Sequence, residues 1–171
     1  SFHRLARPVF AAAAGAAVDV TLTPPDETGA MPLAGFTGIC LDALALAVDD
    51  RVPVPAALTA AAPGCAESLY TRLFRSVCPV TGQPDYACVQ VRYRGPRIDR
   101  ASLLRYLVSF RRHPGFHEHC VERIFTDLRQ RCGPEALSVY ARFTRRGGID
   151  INPWRSSEGG RPPGHVRTAR Q

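Results

Sequence analysis

The stretch SLYTRLFRSV-CPVTGQPD-YACVQVRY, residues 68–93, decides the fold. Both outer parts are rich in β-branched and aromatic residues and both alternate, which is strand behaviour. Ser68 to Val77 puts Leu69, Thr71, Leu73, Arg75 and Val77 on one face. Tyr86 to Tyr93 puts Val89, Val91 and Tyr93 on one face, with Gln90 and Arg92 on the other. Between them, Cys78 to Asp85 carries two prolines and a glycine, the residues of a loop. The stretch predicts a β-hairpin.

Downstream, Arg94-Gly95-Pro96 reads as a turn, and Asp99 as the N-cap of a helix running to about Arg112. Leu103, Tyr106, Leu107 and Phe110 form its apolar stripe. His113-Pro114-Gly115 ends it. A second helix is predicted from about Phe116 to Cys132, with Val121, Ile124, Phe125 and Leu128 inward and Gly133-Pro134 as its stop. Leu137 to Thr144 predicts a third strand, Arg145-Arg146-Gly147-Gly148 a turn, and Ile149 to Trp154 a short fourth strand. The order β-β-α-α-β-β is that of an α+β domain, an antiparallel sheet with two helices on one face. Alone, such a unit leaves both sheet edges unpaired, and closure into a multi-subunit barrel would satisfy them.

Upstream the pattern is weaker. Ser1 to Ala17 reads as the end of a helix, Ala16 to Thr23 as a strand, Pro24 to Gly29 as a turn and Phe36 to Leu41 as a short strand. Asp50 to Gly64, rich in Pro and Ala, lacks periodicity. The expected organisation is the end of a first module over 1–50, a linker over 51–66, a complete module over 67–155 and a loose tail over 156–171. The opening Ser1 suggests a piece of a longer chain.

The 171 residues are 45% hydrophobic and 22% charged, enough for a real core without disulfide staples. The longest apolar stretch, Val9 to Val18, is too short to span a bilayer. No secretory leader is evident, so scattered, reduced cysteines and a cytoplasmic setting are expected. All 22 basic residues are Arg, which with the abundant Ala reads as genomic base bias. Charge is uneven: residues 1–65 carry three Arg against six acids, and 66–171 nineteen Arg against nine. A basic half suits an anionic partner, whether nucleic acid or a phosphorylated small molecule, or is simply a solvated surface.

The six cysteines include no C-x-x-C pair, so the usual zinc knuckle is absent. Cys78 stands apart, because it opens a stiff loop whose far end is Asp85. A thiol and a carboxyl brought together offer a nucleophile and a proton shuttle, and Arg75 could help ionise the thiol. The alternative is ordinary packing. His117-Glu118-His119-Cys120 opens the second helix, where a carboxylate stabilises the dipole. Glu118 could also accept two N–H bonds from a guanine-like ring. Arg146 and Gly147 sit in a turn that could meet phosphate, or could be only an exposed turn. Cys120 also raises the possibility of a disulfide with Cys78.

Three strings taken together are specific: FRSVCPVTGQPDY (74–86), YLVSFRRHPGFHEHCVERIF (106–125) and YARFTRRGGIDINPWRS (140–156). They closely resemble the NADPH-dependent nitrile reductases of queuosine biosynthesis, in their long, two-module form. Residues from Glu67 onward resemble the second module, and Phe36 to Asp42 the end of the first. The resemblance implies a tunnelling fold (T-fold) and a homo-oligomer with active sites at interfaces. It implies that Cys78 attacks the nitrile of 7-cyano-7-deazaguanine to form a thioimide, with Asp85 as proton donor. His117 and Glu118 would hold the substrate, and Arg146 and Gly147 would contact NADPH. No metal, membrane or nucleic acid is required. The family's Glu-Ser-Lys motif has no counterpart in this lysine-free chain. A zinc-dependent cyclohydrolase of the same fold, with Cys78 as a ligand, and an Arg-rich RNA-binding module are the alternatives.

Overall fold

The computed structural model describes residues 2–23, 33–47, 52–164 and 166–171, and divides the chain into two compact units, Ser1–Pro32 and Leu33–Gln171. In the first unit, helix α1 (Phe2–Ala14) is followed by irregular chain through residue 23. The expected strand at Ala16 to Thr23 does not form. Its alternation supplies a face, but no neighbouring strand takes up its backbone groups among the described residues. The turn expected at Pro24 to Gly29 lies outside the described residues.

The second unit is a five-stranded sheet in the order β1 (Ile39–Cys40), β2 (Ala60–Val77), β3 (Pro84–Ile98), β4 (Ala136–Phe143), β5 (Trp154–Ser156). Only β1 runs parallel to its neighbour. Helices α2 (Arg100–Val108) and α3 (His117–Cys132) lie between β3 and β4 in sequence, so the predicted β-β-α-α-β-β order stands. Both helices contribute to one core. Leu103, Tyr106, Leu107 and Phe110 pack with Val121, Ile124 and Leu128 and with sheet residues Leu69, Phe74, Val89, Val91, Val139 and Phe143. Asp99 caps α2 as expected, its carboxylate accepting from the Ser102 N–H at 2.7 Å. Gly133 ends α3 in the left-handed conformation.

Several boundaries differ from expectation, each for a physical reason. A register shift lies between Thr71 and Phe74 on β2. It reverses the alternation, as an inserted residue must. Leu69 and Thr71 are buried, then Phe74 and Ser76, whereas Leu73, Arg75 and Val77 are only partly so. Arg94-Gly95-Pro96 is not a turn, because β3 continues to Ile98 opposite Ala60. Gly95 allows this with φ 142°, since a Cβ there would fall 2.9 Å from Pro134 Cα. That pairing also converts half of the expected 51–66 linker into strand, after a 3-10 turn at Pro55–Ala57.

Segment 33–47, assigned above to a first module, belongs to the second unit. It covers the sheet face opposite the helices. The Thr37 carbonyl accepts from Gln90 Nε2 at 2.8 Å, and Phe36 packs edge-on to Tyr140 beneath the Arg142 guanidinium. Asp42 holds the edge of β2. Burial would raise its carboxyl, but bonds from the Thr71 hydroxyl and from the Arg72 side chain and amide outweigh that and hold it below the usual range.

The fourth strand is Trp154–Ser156, later than the Ile149 to Trp154 expected, because Arg146 and Ile149 close a tight turn on each other first. The end of the expected loose tail is anchored. Arg167 Nε donates to Asp150 at 2.7 Å, Gln171 Nε2 donates to Asn152 at 2.7 Å and to the Phe143 carbonyl at 3.0 Å, and Thr168 is buried.

Asp99→Ala should lower unfolding stability by about 1 kcal/mol, through loss of the α2 cap. A urea midpoint equal to that of the parent chain would show that the capping bond is dispensable.

Candidate active site

The β2–β3 hairpin builds one side of the site. Ser76 pairs with Asp85 and Val77 with Pro84, so the loop 78–83 closes directly on the last pair. Inside it, the Cys78 N–H donates to the Gln83 carbonyl at 2.8 Å, and the Gly82 N–H donates to the Cys78 carbonyl at 2.9 Å. The neighbouring segment 113–115 braces this end of β2. Val77 N–H donates to the His113 carbonyl and Gly115 N–H donates to the Val77 carbonyl, both at 3.0 Å.

Cys78 is partly exposed and free. The polar groups of its turn, the Thr81 hydroxyl first and then the Thr81 and Val80 amides, favour the thiolate and with the Arg146 charge hold its thiol below the usual value. Hydrogen bonds to the charged form favour that form. Thr81 was missed in the sequence. The available signal was a hydroxyl three residues after a cysteine inside a tight turn. Arg75, which could help ionise the thiol on the reading above, is not among the leading groups that lower it, and its guanidinium lies 5.9 Å from the Tyr86 ring centroid.

Asp85 is 1% exposed. Its Oδ1 accepts from Arg146 Nε at 2.9 Å and from Arg146 Nη2 at 2.5 Å. His117, the first residue of α3, places Nε2 3.3 Å from the same oxygen, without the alignment of a hydrogen bond. Its ring packs edge-on to Phe143 at 4.2 Å. Four sequence-predicted residues thus meet at one end of the sheet: Cys78 and Asp85 from the hairpin, His117 from α3 and Arg146 from the turn after β4.

The other two stand at the margin. Glu118 is exposed, and no hydrogen bond or ion pair ties it to this cluster among the described residues. Gly147 and Gly148 have φ of 56° and 82°, and a Cβ on either would meet open space. The turn therefore leaves room for a ligand beside Arg146. The arrangement can form a thiolate, hold a carboxyl out of solvent and present a guanidinium at the margin.

All six cysteines are free, and burial pushes the Cys120 thiol up to about 11. No group of three His, Cys, Asp or Glu side chains suited to a metal occurs among the described residues, so the zinc ligand set of the cyclohydrolase alternative is not assembled there. No helix among them is long and apolar enough to cross a membrane.

Comparison with known proteins bears on this geometry. Residues 84–161 match the family model described as QueF-like protein, which takes in Asp85, His117, Glu118, Arg146 and Gly147 and begins six residues after Cys78. The chain is 56% identical over 164 residues, 95% of its length, to the NADPH-dependent 7-cyano-7-deazaguanine reductase of Bordetella pertussis. It is 52% identical over 163 residues to the protein of that name from Chromobacterium violaceum. The chain spans about 60% of the length of these curated relatives. Among solved structures, the apo form of the archaeosine synthase QueF-Like superposes with a TM-score of 0.50 at 19% identity, over 58% of this chain and 99% of that one. That likeness concerns the fold alone, and it is consistent with the tunnelling fold expected. Over 95% of its length the chain is thus similar to proteins named NADPH-dependent 7-cyano-7-deazaguanine reductase, and its residues 84–161 match the QueF-like model.

Proposed function

We propose that this chain carries the nucleophile half of an NADPH-dependent reductase that converts the nitrile of 7-cyano-7-deazaguanine to an aminomethyl group. The observation that carries the reading is an accessible cysteine with a lowered thiol pKa, on a loop that returns the chain to a buried carboxyl, in relatives named for this activity.

The chemistry suits the residues. A nitrile carbon is electrophilic but a poor hydride acceptor. The Cys78 thiolate adds to it, forming a C–S bond, while the nitrile nitrogen takes a proton and C≡N becomes C=N. On this reading Asp85 delivers that proton, with His117 beside it. Splitting the reduction through a covalent thioimide replaces one hard step by easier ones. NADPH would supply hydride when bound; over two such reductions the C–S bond breaks with its electron pair returning to the Cys78 sulfur, and with their protons the former nitrile becomes an aminomethyl group. Arg146, with its side chain 28% exposed, and the open Gly147–Gly148 turn fit an approaching phosphate. Glu118, free of intramolecular bonds among the described residues, can accept two N–H groups from the deazaguanine ring.

Water has to be excluded, because an imine hydrolyses. Val80, Tyr86, Phe116 and Ile149 each neighbour a site residue or its loop and are all exposed, Val80 at 77%. A second copy of the chain, or further residues of the longer protein, would cover this rim. The chain contains no lysine, so the family's Glu-Ser-Lys motif would also have to come from elsewhere.

Incubation with 7-cyano-7-deazaguanine should raise the intact mass by one nitrile per chain, with the label on Cys78. Cys78→Ala should remove the adduct, and an adduct persisting in that variant would refute the assignment. Arg146→Ala should cost about 1 to 3 kcal/mol of stability by leaving the buried Asp85 carboxylate without its cation. Adding Asp85→Asn should recover part of that loss, and a double variant as unstable as the sum of the two singles would mean that the pair is not coupled.

A further inference from the structure

We propose that the sheet face opposite the helices carries a second binding site, a groove around Arg92, Ser138, Trp154 and Arg161 that takes a mononucleotide, with its phosphate on the two arginines and its base against the indole. This site does not depend on the nitrile assignment. Asp85 shares its face of β3 with the core residues Val89 and Val91. Arg92 stands on the other face, roughly 23 Å further along at about 3.3 Å per residue.

The ladder builds the floor. Ser68, Arg92, Ser138 and Ser156 are partners in register across β2, β3, β4 and β5. Side chains alternate between the two faces of a strand, so these four share the face that Gln90 presents to Thr37. The next row on that face is Ala66, Arg94 and Ala136. Small side chains flanking the arginines leave a depression there. Segment 33–47 covers the opposite neighbouring row, where Phe36 packs on Tyr70 and Tyr140. It reaches the serine row at the Ser68 end, where the Ser68 hydroxyl donates to the Thr37 carbonyl at 2.9 Å. The chain after β5 makes the far wall. The Ser157 hydroxyl accepts from the Leu137 N–H and the Ser157 N–H donates to the Leu137 carbonyl, both at 2.9 Å. That anchor fixes the start of the segment that brings Arg161 to the groove. The result is an open cavity of about 640 Å³, a size that small-molecule clefts commonly have.

Charge selects an anion. The groove borders two acids, and both are already engaged. Glu67 turns its carboxylate to the other face, where it accepts from Arg100 at 2.8 Å and from the Tyr93 hydroxyl at 2.9 Å. Glu158 lies 3.7 Å from Arg94, which Glu135 also approaches at 3.2 Å. Arg92 and Arg161, both exposed, form no ion pair among the described residues, and Arg92 makes one long bond, to the Thr37 hydroxyl at 3.5 Å. Two unmatched guanidiniums on one cavity suit a phosphate, whose oxygens accept their N–H groups in pairs.

The indole selects a ring. Trp154 Nε1 donates to the Ser138 hydroxyl at 2.8 Å, which ties the indole to the floor of the groove. No acceptor among the described residues takes the Ser138 proton in turn, so that hydroxyl can donate to a ligand. Every nucleobase has a π face that stacks on an aromatic side chain, so the groove needs no particular base.

Trp154 is the single tryptophan of the chain, so its fluorescence reads the groove directly. The test is a titration of the chain with adenosine 5′-monophosphate, followed by Trp154 emission excited beyond the nucleotide's own absorption, with equilibrium dialysis of the labelled nucleotide to count sites. A saturable change in emission with one nucleotide bound per chain is the expected result. Adenosine, which lacks the phosphate, should bind about tenfold more weakly or worse. Arg92→Gln and Arg161→Gln should each weaken the nucleotide about tenfold, and Arg92→Lys should recover part of that loss, which separates a lost charge from a disturbed sheet. Neither nitrile nor NADPH is present, so a failed adduct on Cys78 leaves this site standing, and an empty groove leaves the Cys78 reading standing. No nucleotide retained in dialysis, or nucleotide retained with Trp154 emission unchanged, would overturn the proposal. So would adenosine binding as tightly as its monophosphate, both glutamine variants binding like the parent chain, or an Arg92→Lys variant no better than Arg92→Gln. Single-stranded RNA bound by a chain that ignores the mononucleotide would overturn it as well, because a basic surface rather than the groove would then be the reader.

Discussion

A carboxylate almost wholly removed from water needs a cation beside it, and Asp85 has Arg146. Their pairing spans 61 residues of sequence and ties the β2–β3 hairpin to the turn after β4. His117 lies against the same oxygen from the start of α3. One buried charge thus gathers three elements into one end of the sheet, next to the loop that holds Cys78. The turn that supplies Arg146 is itself held from the far end of the chain. Arg167 binds Asp150, and Gln171 binds both Asn152 and the Phe143 carbonyl. The last residues therefore act on the site without touching its chemistry.

Local signals carried most of the helical layer into view. The Asp99 cap, the Leu103–Phe110 stripe, the Val121–Leu128 stripe and the Gly133 stop are set by neighbours three or four residues apart. The strand core was legible where alternation was uninterrupted, as in Val89, Val91 and Tyr93. It failed at Thr71–Phe74, because a bulge has no compositional mark when every residue around it suits a strand. That single shift also misplaced Arg75. With the alternation reversed, Ser76 turns inward and Arg75 lies beside Tyr86. Pairing of Ala60 and Ala61 with Arg97 and Ile98, and the anchoring of Arg167 and Gln171, depend on partners dozens of residues away, which composition does not show.

At the site, Cys78 and Asp85 were legible from the loop between them and from the resemblance of their motif to a known family. Arg146 was legible only as an anion-binding residue. Its guanidinium in fact rests on Asp85, so an incoming phosphate and the carboxylate would share one cation. Thr81 escaped notice because its effect on the thiol depends on the way the turn folds back, not on residue type. The electrostatic order is coherent: the polar groups of the turn and an arginine favour the thiolate, a buried carboxyl stands nearby, and the arginine lies between that carboxyl and the solvent. The site's apolar rim remains uncovered in the isolated chain, which agrees with a chain that spans about 60% of its relatives' length.

The most direct measurement is a crystal structure of the chain after reaction with 7-cyano-7-deazaguanine. A carbon–sulfur bond from Cys78 to the former nitrile carbon, with the new nitrogen within hydrogen-bond reach of the Asp85 carboxyl, is the expected result. A bare Cys78 sulfur with the deazaguanine lodged elsewhere, or a carbon–sulfur bond whose nitrogen lies far from Asp85, would contradict the mechanism at its centre.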